Sequence, residues 1–250
     1  MAGRQAEIFE AMHDEYAQST SDEYAMAYRE KHHFRRILRM LGDSRSIIEI
    51  ASGTGETSGW LKKHKPGLQI TGCDISRKAV ADFQTLHDSP AFVADLTQPF
   101  TPSERYDAVL VMGGIHHMTN NLEATFANIN RLLKPGGRLI MAEPSANFVM
   151  NPIRKLWYRL DSDHFDADDE EALDHNKLLR EYGQGFRCRE VRYLGGPAYF
   201  LLMLNMFLRF PSRFKKPIAP VIMKAEEFYE KLPGRLPFAA FIACWEKTSD

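Results

Sequence analysis

The segment from Ile47 to Gly55 constrains the fold of this chain more than any other. A short run of β-branched apolar residues leads into Gly53 and Gly55, which predicts a buried strand followed by a loop whose backbone can closely approach a ligand. A second apolar run, which starts at Ile70, ends on the acid Asp74. Because the carboxyl ends of parallel strands meet at one edge of a doubly wound sheet, an acid there can bind a ribose. The two runs therefore predict an α/β fold with a nucleoside-containing cofactor at this edge.

The glycines alone do not decide the class of cofactor, because Gly53 to Gly59 also fits a variant of the dinucleotide-binding pattern. Glu49 discriminates better. An anionic side chain at the strand end repels a pyrophosphate and attracts an ammonium group, which favours S-adenosylmethionine, a cofactor with an amine and no phosphate. The run from Arg131 to Met141 adds a predicted helix end, a Pro-Gly-Gly turn and a further buried strand. The Tyr-x-x-x-Lys pair of the common short-chain reductases is absent from the sequence.

These features resemble the class I S-adenosylmethionine-dependent methyltransferase family over about residues 35 to 195 and again at the last predicted strand. The resemblance implies a doubly wound, seven-stranded Rossmann-like sheet whose last strand is antiparallel. It implies that Glu49 and the carbonyl of Met112 bind the methionine amine, that Asp74 binds the ribose hydroxyls and that Asp95 accepts from the adenine amine. The other residues implied to bind the cofactor are Ala51, Gly53, Thr54, Gly55, Ile75 and Leu96.

The sequence departs from the family pattern at Ala51, which stands where the first glycine of the loop is commonest. We expect a methyl group to be tolerated there if the backbone dihedral angles are in an ordinary region. Two other functions stay open. One is an NADP-dependent oxidoreductase, which the glycine pattern alone supports. The other is a cofactor-binding interaction protein without catalysis, which Ala51 and the lack of an unmistakable base support.

The candidate catalytic residues are His116, His117 and Glu143. The two histidines follow the predicted strand that ends near Met112, where an imidazole can take a proton from an acceptor hydroxyl. Their alternative role is packing at a helix start. Glu143 ends the strand predicted over 137–142 and either orients an acceptor or anchors the loop.

No metal is predicted. The acidic run over 161–169, which includes His164, lacks the spacing of an EF-hand, and Asp168 or Asp169 is better explained as a helix N-cap. The tyrosines of the N-terminal helices, Tyr16, Tyr24 and Tyr28, either close over the ligands or, more simply, pack in the core.

Composition restricts the class of acceptor and predicts the cellular compartment. The formal net charge of −1 over 250 residues gives no global electrostatic footprint for nucleic acid. We therefore expect a small or medium-sized acceptor, methylated at oxygen or else at nitrogen or carbon, in natural-product, glycan or lipid-linked metabolism. The three widely spaced cysteines are expected to be reduced and buried, and the charged N-terminus lacks the apolar region of a secretory signal. Both observations predict a cytoplasmic protein.

The hydrophobic pattern divides the chain into an N-terminal helical cap (1–41, with a break near 19–22), a cofactor-binding core (42–194), a helical lid (195–236) and a last strand with its tail (237–250). Strands are predicted over 47–51, 69–73, 91–94, 106–111, 137–142, 187–194 and 237–245, and core helices over 56–64, 76–87, 121–133 and 173–182.

The lid is expected to contain two helices, over 199–210 and 218–231, and to start and finish over the active-site mouth because it leaves the carboxyl end of a parallel strand. Its apolar run from Ala198 to Leu208 is too short to span a bilayer. Three interpretations remain: a buried helix that lines the acceptor pocket, which is favoured, a contact in a homodimer, or an interfacial helix that reaches a lipid-linked acceptor.

Overall fold

A seven-stranded sheet lies at the centre of the computed structural model, which describes residues 22–152, 171–203 and 212–248. The spatial order is β3-β2-β1-β4-β5-β7-β6, and β7 is antiparallel to both of its neighbours. The predicted α/β sheet with an antiparallel last strand is therefore confirmed. The strands are β1 (Ser46–Ile50), β2 (Gln69–Asp74), β3 (Ala91–Val93), β4 (Tyr106–Met112), β5 (Leu133–Pro144), β6 (Phe186–Leu194) and β7 (Ala240–Lys247).

The described helices are α1 (Glu23–Arg29), α2 (Arg35–Leu41), α3 (Glu56–His64), α4 (Arg77–His87), α5 (Leu122–Leu132), α6 (His175–Tyr182) and α7 (Ser212–Tyr229). A π-helical turn, Glu30–Phe34, joins α1 to α2, and another covers Tyr199–Met203. Asp22 caps α1, because its carboxylate accepts from the backbone N–H groups of Tyr24 and Ala25. This agrees with the predicted helix break, whereas residues 1–21, with Tyr16, lie outside the described residues.

The central strands β1, β4 and β7 are buried on both faces of the sheet, which explains their continuous apolar runs. Successive residues of a strand point to opposite faces. In β1, Ile47 packs into the cluster formed with α1, α2 and the lid, while Ile48 packs into the cluster formed with α5 and α6. Trp245 of β7 is fully buried against Phe126 of α5. The cofactor-binding edge is thus carried on a rigid, two-sided core.

The predicted turn at Pro135 to Gly137 does not separate α5 from the next strand, and this prediction was wrong. Tyr106 of β4 pairs with Leu133, and Ala108 pairs with Arg138, so the intervening residues form a bulge inside β5. Gly136 has a φ of 73°, which lets the backbone loop out. Because β5 begins directly after α5, it is longer than the predicted 137–142.

The lid differs from the prediction in its second helix, which begins at Ser212 and contains Pro217 and Pro220. Proline inside a helix costs about 3 kcal/mol. Both prolines are exposed, whereas Lys215 before them and Ala219 between them are buried, and this inward packing offsets the cost. Of the predicted helix over 199–210, only the π-helical turn is described.

The acidic run over 161–169 lies outside the described residues, as does the apolar segment beyond Met203. Cys73 and Cys244 are buried and Cys188 is half-buried, and none of the three forms a disulfide. Within the described ranges, every helix is too short or too polar to cross a bilayer.

Candidate active site

The loop after β1 is fixed by the end of β2. The backbone N–H of Gly53 donates to Oδ2 of Asp74 at 2.9 Å, and the N–H of Ser76 donates to Oδ1 at 2.9 Å. Ser52 N donates to the carbonyl of Cys73. The acid predicted to bind a ribose therefore also holds the glycine loop in place, and the two predicted elements meet as expected.

Ala51 adopts a left-handed conformation with a φ of 51°, so the condition of ordinary dihedral angles, under which we expected a methyl group to be tolerated, is not met. Gly53 and Gly55 also have positive φ values, 51° and 74°, so the turn from β1 into α3 is built largely from left-handed residues. For a residue with a Cβ this costs about 1–2 kcal/mol. A Cβ built on Gly114 would lie only 2.7 Å from the Ala51 methyl. The methyl group therefore packs on the backbone of the neighbouring loop.

The two glycines of this loop have different structural roles. A Cβ on Gly55 would lie 2.5 Å from Cδ2 of Phe83, so Gly55 is required for packing against α4. A Cβ on Gly53 would meet no described atom within 4 Å. Gly53 thus leaves open space next to the Asp74 carboxylate, and this cradle fits a nucleoside with hydroxyl groups.

Glu49 lies beneath the loop with its carboxyl turned toward α3. Ser58 Oγ donates a hydrogen bond to Oε2 of Glu49. Burial raises the pKa of Glu49 to about 7, although hydrogen bonds from Ser58 and Thr57 act in the opposite direction. That Glu49 binds the methionine amine of the cofactor stays a prediction.

The segment after β3 forms a tight turn. Oδ1 of Asp95 accepts from the backbone N–H of Thr97 at 2.9 Å and from its hydroxyl at 2.7 Å, while the Asp95 side chain stays half-exposed. Leu96 is 2% exposed and lies in the core, so only its backbone can face a cofactor. The half-buried Ile75 and Met112 follow or end their strands at the same edge.

His116 and Glu143 form a pair that the sequence analysis missed. Oε2 of Glu143 lies 2.8 Å from Nδ1 of His116, and the Glu143 side chain has no exposed surface. Oε1 accepts the backbone N–H groups of Gly114 and Ile115 at 3.1 and 2.8 Å. The signal was present, because both residues follow or end neighbouring parallel strands. With Nδ1 donating to the carboxylate, Nε2 is the imidazole nitrogen that carries the lone pair.

His117 lies beside this pair, with its ring centroid 3.9 Å from that of His116. The side chain of His116 is 14% exposed. The structure therefore brings all three predicted catalytic residues to one edge, and it singles out His116 as the imidazole that a carboxylate orients.

The N-terminal helices are tied to the glycine loop and to the lid. Arg29 of α1 pairs with Glu56, the first residue of α3. Oε1 of Glu226, fully buried on α7, accepts from Tyr28 Oη at 3.2 Å and from the backbone N–H of Gly196 at 2.8 Å. Lys215 pairs with Asp22 at the other end of α7. These contacts were not predicted from the sequence, since their partners are far apart along the chain.

A line of aromatic rings crosses the same region. Tyr28 lies 6.1 Å from Tyr199, Tyr199 lies 5.4 Å from Phe200, and Phe200 lies 5.6 Å from Phe148, measured between ring centroids. The lid enters after β6 and returns at Ala240, which pairs with Pro144 at the end of β5. It therefore begins and ends at the edge that carries the glycine loop.

The strand order, the glycine loop and the acid at the end of β2 define a Rossmann-like domain of the methyltransferase type. A family model described as "Methyltransferase domain" matches residues 48–141. A solved S-adenosylmethionine-dependent methyltransferase from Thermotoga maritima superposes with a TM-score of 0.66 over 97% of this chain and 99% of its own, at 16% identity. Residues 48–141 therefore match a methyltransferase domain, and the sheet has the Rossmann-like fold of the solved S-adenosylmethionine-dependent methyltransferase.

Two curated relatives carry more specific names. The ubiquinone/menaquinone biosynthesis C-methyltransferase UbiE of Chromobacterium violaceum is 30% identical over 148 residues, which cover 57% of this chain and 60% of the relative. The demethylmenaquinone methyltransferase of Chlamydia muridarum is 27% identical over 121 residues, which cover 47% of this chain and 52% of the relative. The chain thus spans between one half and two thirds of the length of either protein.

Proposed function

We propose that the protein transfers a methyl group from S-adenosylmethionine to a small or medium-sized acceptor that bears a hydroxyl group, with His116 as the base. The observation that carries the proposal is the 2.8 Å contact between His116 Nδ1 and the buried Glu143 carboxyl. S-adenosylmethionine, when bound, would supply a methyl group on a sulfonium: an in-line lone pair of the acceptor forms a bond to the methyl carbon, and S-adenosylhomocysteine leaves as a neutral thioether.

The residues that would hold the cofactor are those of the loop and the two strand-end acids. The open face of Gly53 admits the ligand, Asp74 accepts from the ribose hydroxyls and Asp95 accepts from the adenine amine. The Asp74 carboxylate is already oriented by Gly53 and Ser76, so little ordering is needed when the ligand binds. The open space at Gly53 and the oriented Asp74 carboxylate support binding of a nucleoside at this loop.

His116 would take the acceptor proton at Nε2. Glu143 fixes the imidazole through Nδ1 and stabilises the positive charge that forms on the ring, as a carboxylate does in other histidine-based sites. The partial exposure of His116 lets this proton pass to solvent afterwards. Since methyl transfer gains most from positioning and desolvation, the lid and the N-terminal helices contribute by excluding water from the site.

The same base serves methylation at oxygen or at carbon. Removal of a proton from an aliphatic hydroxyl creates an oxygen nucleophile, and this is the outcome we propose first. Removal of a proton from a phenolic hydroxyl also places negative charge on ring carbons. The names of the two relatives favour this second outcome, C-methylation of a hydroxylated ring.

The proposal is tested by the release of S-adenosylhomocysteine across a panel of paired acceptors. Each pair consists of a hydroxylated compound and the same compound with hydrogen in place of the hydroxyl. Turnover confined to the hydroxylated members supports the proposal, and NMR of the product decides between oxygen and carbon. Calorimetry with S-adenosylmethionine and NADPH runs in parallel. Binding of NADPH alone would favour the oxidoreductase, and cofactor binding with no turnover on any acceptor would favour an interaction protein.

A further inference from the structure

The outward side of α7 is apolar although it is exposed. Phe214, Val221 and Phe228 recur every seven residues and are 48%, 70% and 72% exposed. Seven-residue spacing keeps side chains on one side of a helix, so these three residues form a stripe, which we call the α7 stripe. Leu232, just past the helix end at Tyr229, is also 40% exposed.

The inward side of the same helix carries bonded charged groups together with apolar side chains, since Ala219, Ile222 and Met223 pack into the core cluster. Lys215 and Glu226 have no exposed surface, and Lys215 pairs with Asp22 while Glu226 accepts from Tyr28. Glu230 bonds to His32 and Arg36. The helix is therefore attached to the protein through this inward side, and Val221 and Phe228 lie on the opposite, exposed side.

Two lysines border the α7 stripe. Lys224 lies four residues before Phe228 and Lys231 lies three residues after it, just past the helix end, and both are exposed. The acid among them, Glu227, is neutralised by its ion pair with Lys31. The chain as a whole has a net charge of −1, so this basic border is a local feature. An apolar stripe with a basic border fits a partner with an apolar interior and an anionic surface.

We infer that the α7 stripe docks the lid onto an anionic lipid bilayer. A helix with large apolar side chains on one face and lysines beside them lies in the interface plane and buries the apolar face among the lipid chains. A second copy of the chain fits less well, because a two-fold contact through the same patch would bring the two lysine borders together. Docking through this face does not depend on the proposed methyl transfer.

A second exposed apolar group lies where the lid leaves the sheet edge. Val149, Met150 and Leu236 are 65%, 49% and 64% exposed, and Val149 N donates to the Leu236 carbonyl at 2.9 Å. This group lies close to the ends of β5 and β7 that border the candidate site. A bilayer that also meets this group would lie near the edge where an acceptor would enter.

The test is co-sedimentation of the full chain with vesicles. Vesicles of equal parts phosphatidylglycerol and phosphatidylcholine are compared with vesicles of phosphatidylcholine alone. We expect binding to the anionic vesicles that weakens as salt is added. The double variant V221S/F228S should bind at least about tenfold less, since two large apolar side chains no longer enter the lipid. K224E/K231E should lose the preference for anionic vesicles.

The matched control is L86S, which removes an apolar side chain that is 62% exposed on α4, away from the lid. It should bind as the unchanged protein does, and circular dichroism should show all variants folded. Failure of the unchanged protein to bind anionic vesicles, or equal binding by V221S/F228S, overturns the inference. A dimer in sedimentation velocity that V221S/F228S dissociates, without vesicle binding, would assign the stripe to a second copy instead.

Discussion

Oε2 of Glu143 lies 2.8 Å from Nδ1 of His116, and the other oxygen of the same carboxyl accepts two backbone N–H groups of the turn that carries this histidine. One buried side chain at the end of β5 therefore positions both the imidazole and its backbone at the end of β4. Hydrogen bonds to a charged group of this kind contribute about 1.5–3 kcal/mol each. The site is thus held rigidly before any acceptor binds.

The glycine loop stores strain at Ala51. Ala51→Gly should stabilise the protein by roughly 0.5–1 kcal/mol, because the left-handed penalty exceeds the backbone entropy that glycine costs. Ala81→Gly, at an exposed position inside α4, is the matched control and should destabilise by about 1 kcal/mol. Urea unfolding of the three proteins measures both effects. Destabilisation by Ala51→Gly would mean that the packing of its methyl on Gly114 outweighs the strain.

Asp74→Ala should weaken S-adenosylmethionine binding by at least about tenfold, since each lost hydrogen bond to the carboxylate is worth about 1.5–3 kcal/mol. Calorimetry measures the affinity. Part of the loss will come from the loop, because Asp74 also holds Gly53. The control is Asp82→Ala, which removes an acidic side chain of α4 rather than one at the end of a strand, and it should leave the affinity unchanged. An unchanged affinity in folded Asp74→Ala would remove Asp74 from the site.

Much of the fold followed from local pattern, as α3 shows: it was predicted over 56–64 and spans Glu56–His64. Glycines, a strand-end acid and apolar spacing are local signals, so they also located the edge of the sheet. The bond between Tyr28 and Glu226 joins residues 198 positions apart, and no local pattern encodes it. The φ of Ala51 was missed for a different reason, because only the geometry of the turn imposes a conformation that alanine disfavours.

The buried carboxyl of Glu49 makes stability depend on pH. Its pKa is raised from 4.5 to about 7 by burial, so the folded protein holds a proton that the unfolded chain releases. The stability linked to this proton is complete below about pH 4.5 and is lost as the pH rises toward 7. The loss amounts to about 3 kcal/mol at most.

Glu49→Gln, which stays neutral, should remove this dependence. The free energy of unfolding of Glu49→Gln minus that of the unchanged protein should therefore increase by up to about 3 kcal/mol from pH 5 to pH 8. Urea unfolding at the two pH values measures the difference. A constant difference between the two proteins would show that Glu49 is already ionised in the folded state at pH 5.

Turnover should not require a metal. The described residues contain no group of three or more His, Cys, Asp or Glu side chains that could hold a metal ion, and the proposed chemistry needs only a base and a methyl donor. Dialysis against EDTA should leave kcat unchanged. Loss of activity that magnesium restores would overturn this expectation and would direct attention to the acidic run over 161–169.

Glu143→Gln keeps the size of the side chain and removes its charge. It should lower kcat by about 10² or more, because the carboxylate no longer stabilises a positively charged imidazole, while the affinity for S-adenosylmethionine stays within about twofold. A stopped-flow rate at saturating cofactor and acceptor measures the chemical step. An equal loss of cofactor affinity would show that Glu143 acts through the structure of the loop rather than through His116.

The most direct measurement is kcat of His116→Gln for a hydroxylated acceptor, followed as a function of pH at saturating cofactor and acceptor. His117→Gln is the matched comparison, since it changes the neighbouring ring and leaves the contact between His116 and Glu143 in place. We predict that His116→Gln lowers kcat by about 10² to 10⁴ and loses the acidic limb of the pH profile, and that His117→Gln stays within about threefold. A loss below about threefold in His116→Gln would contradict the assignment of His116 as the base and would leave catalysis to positioning alone.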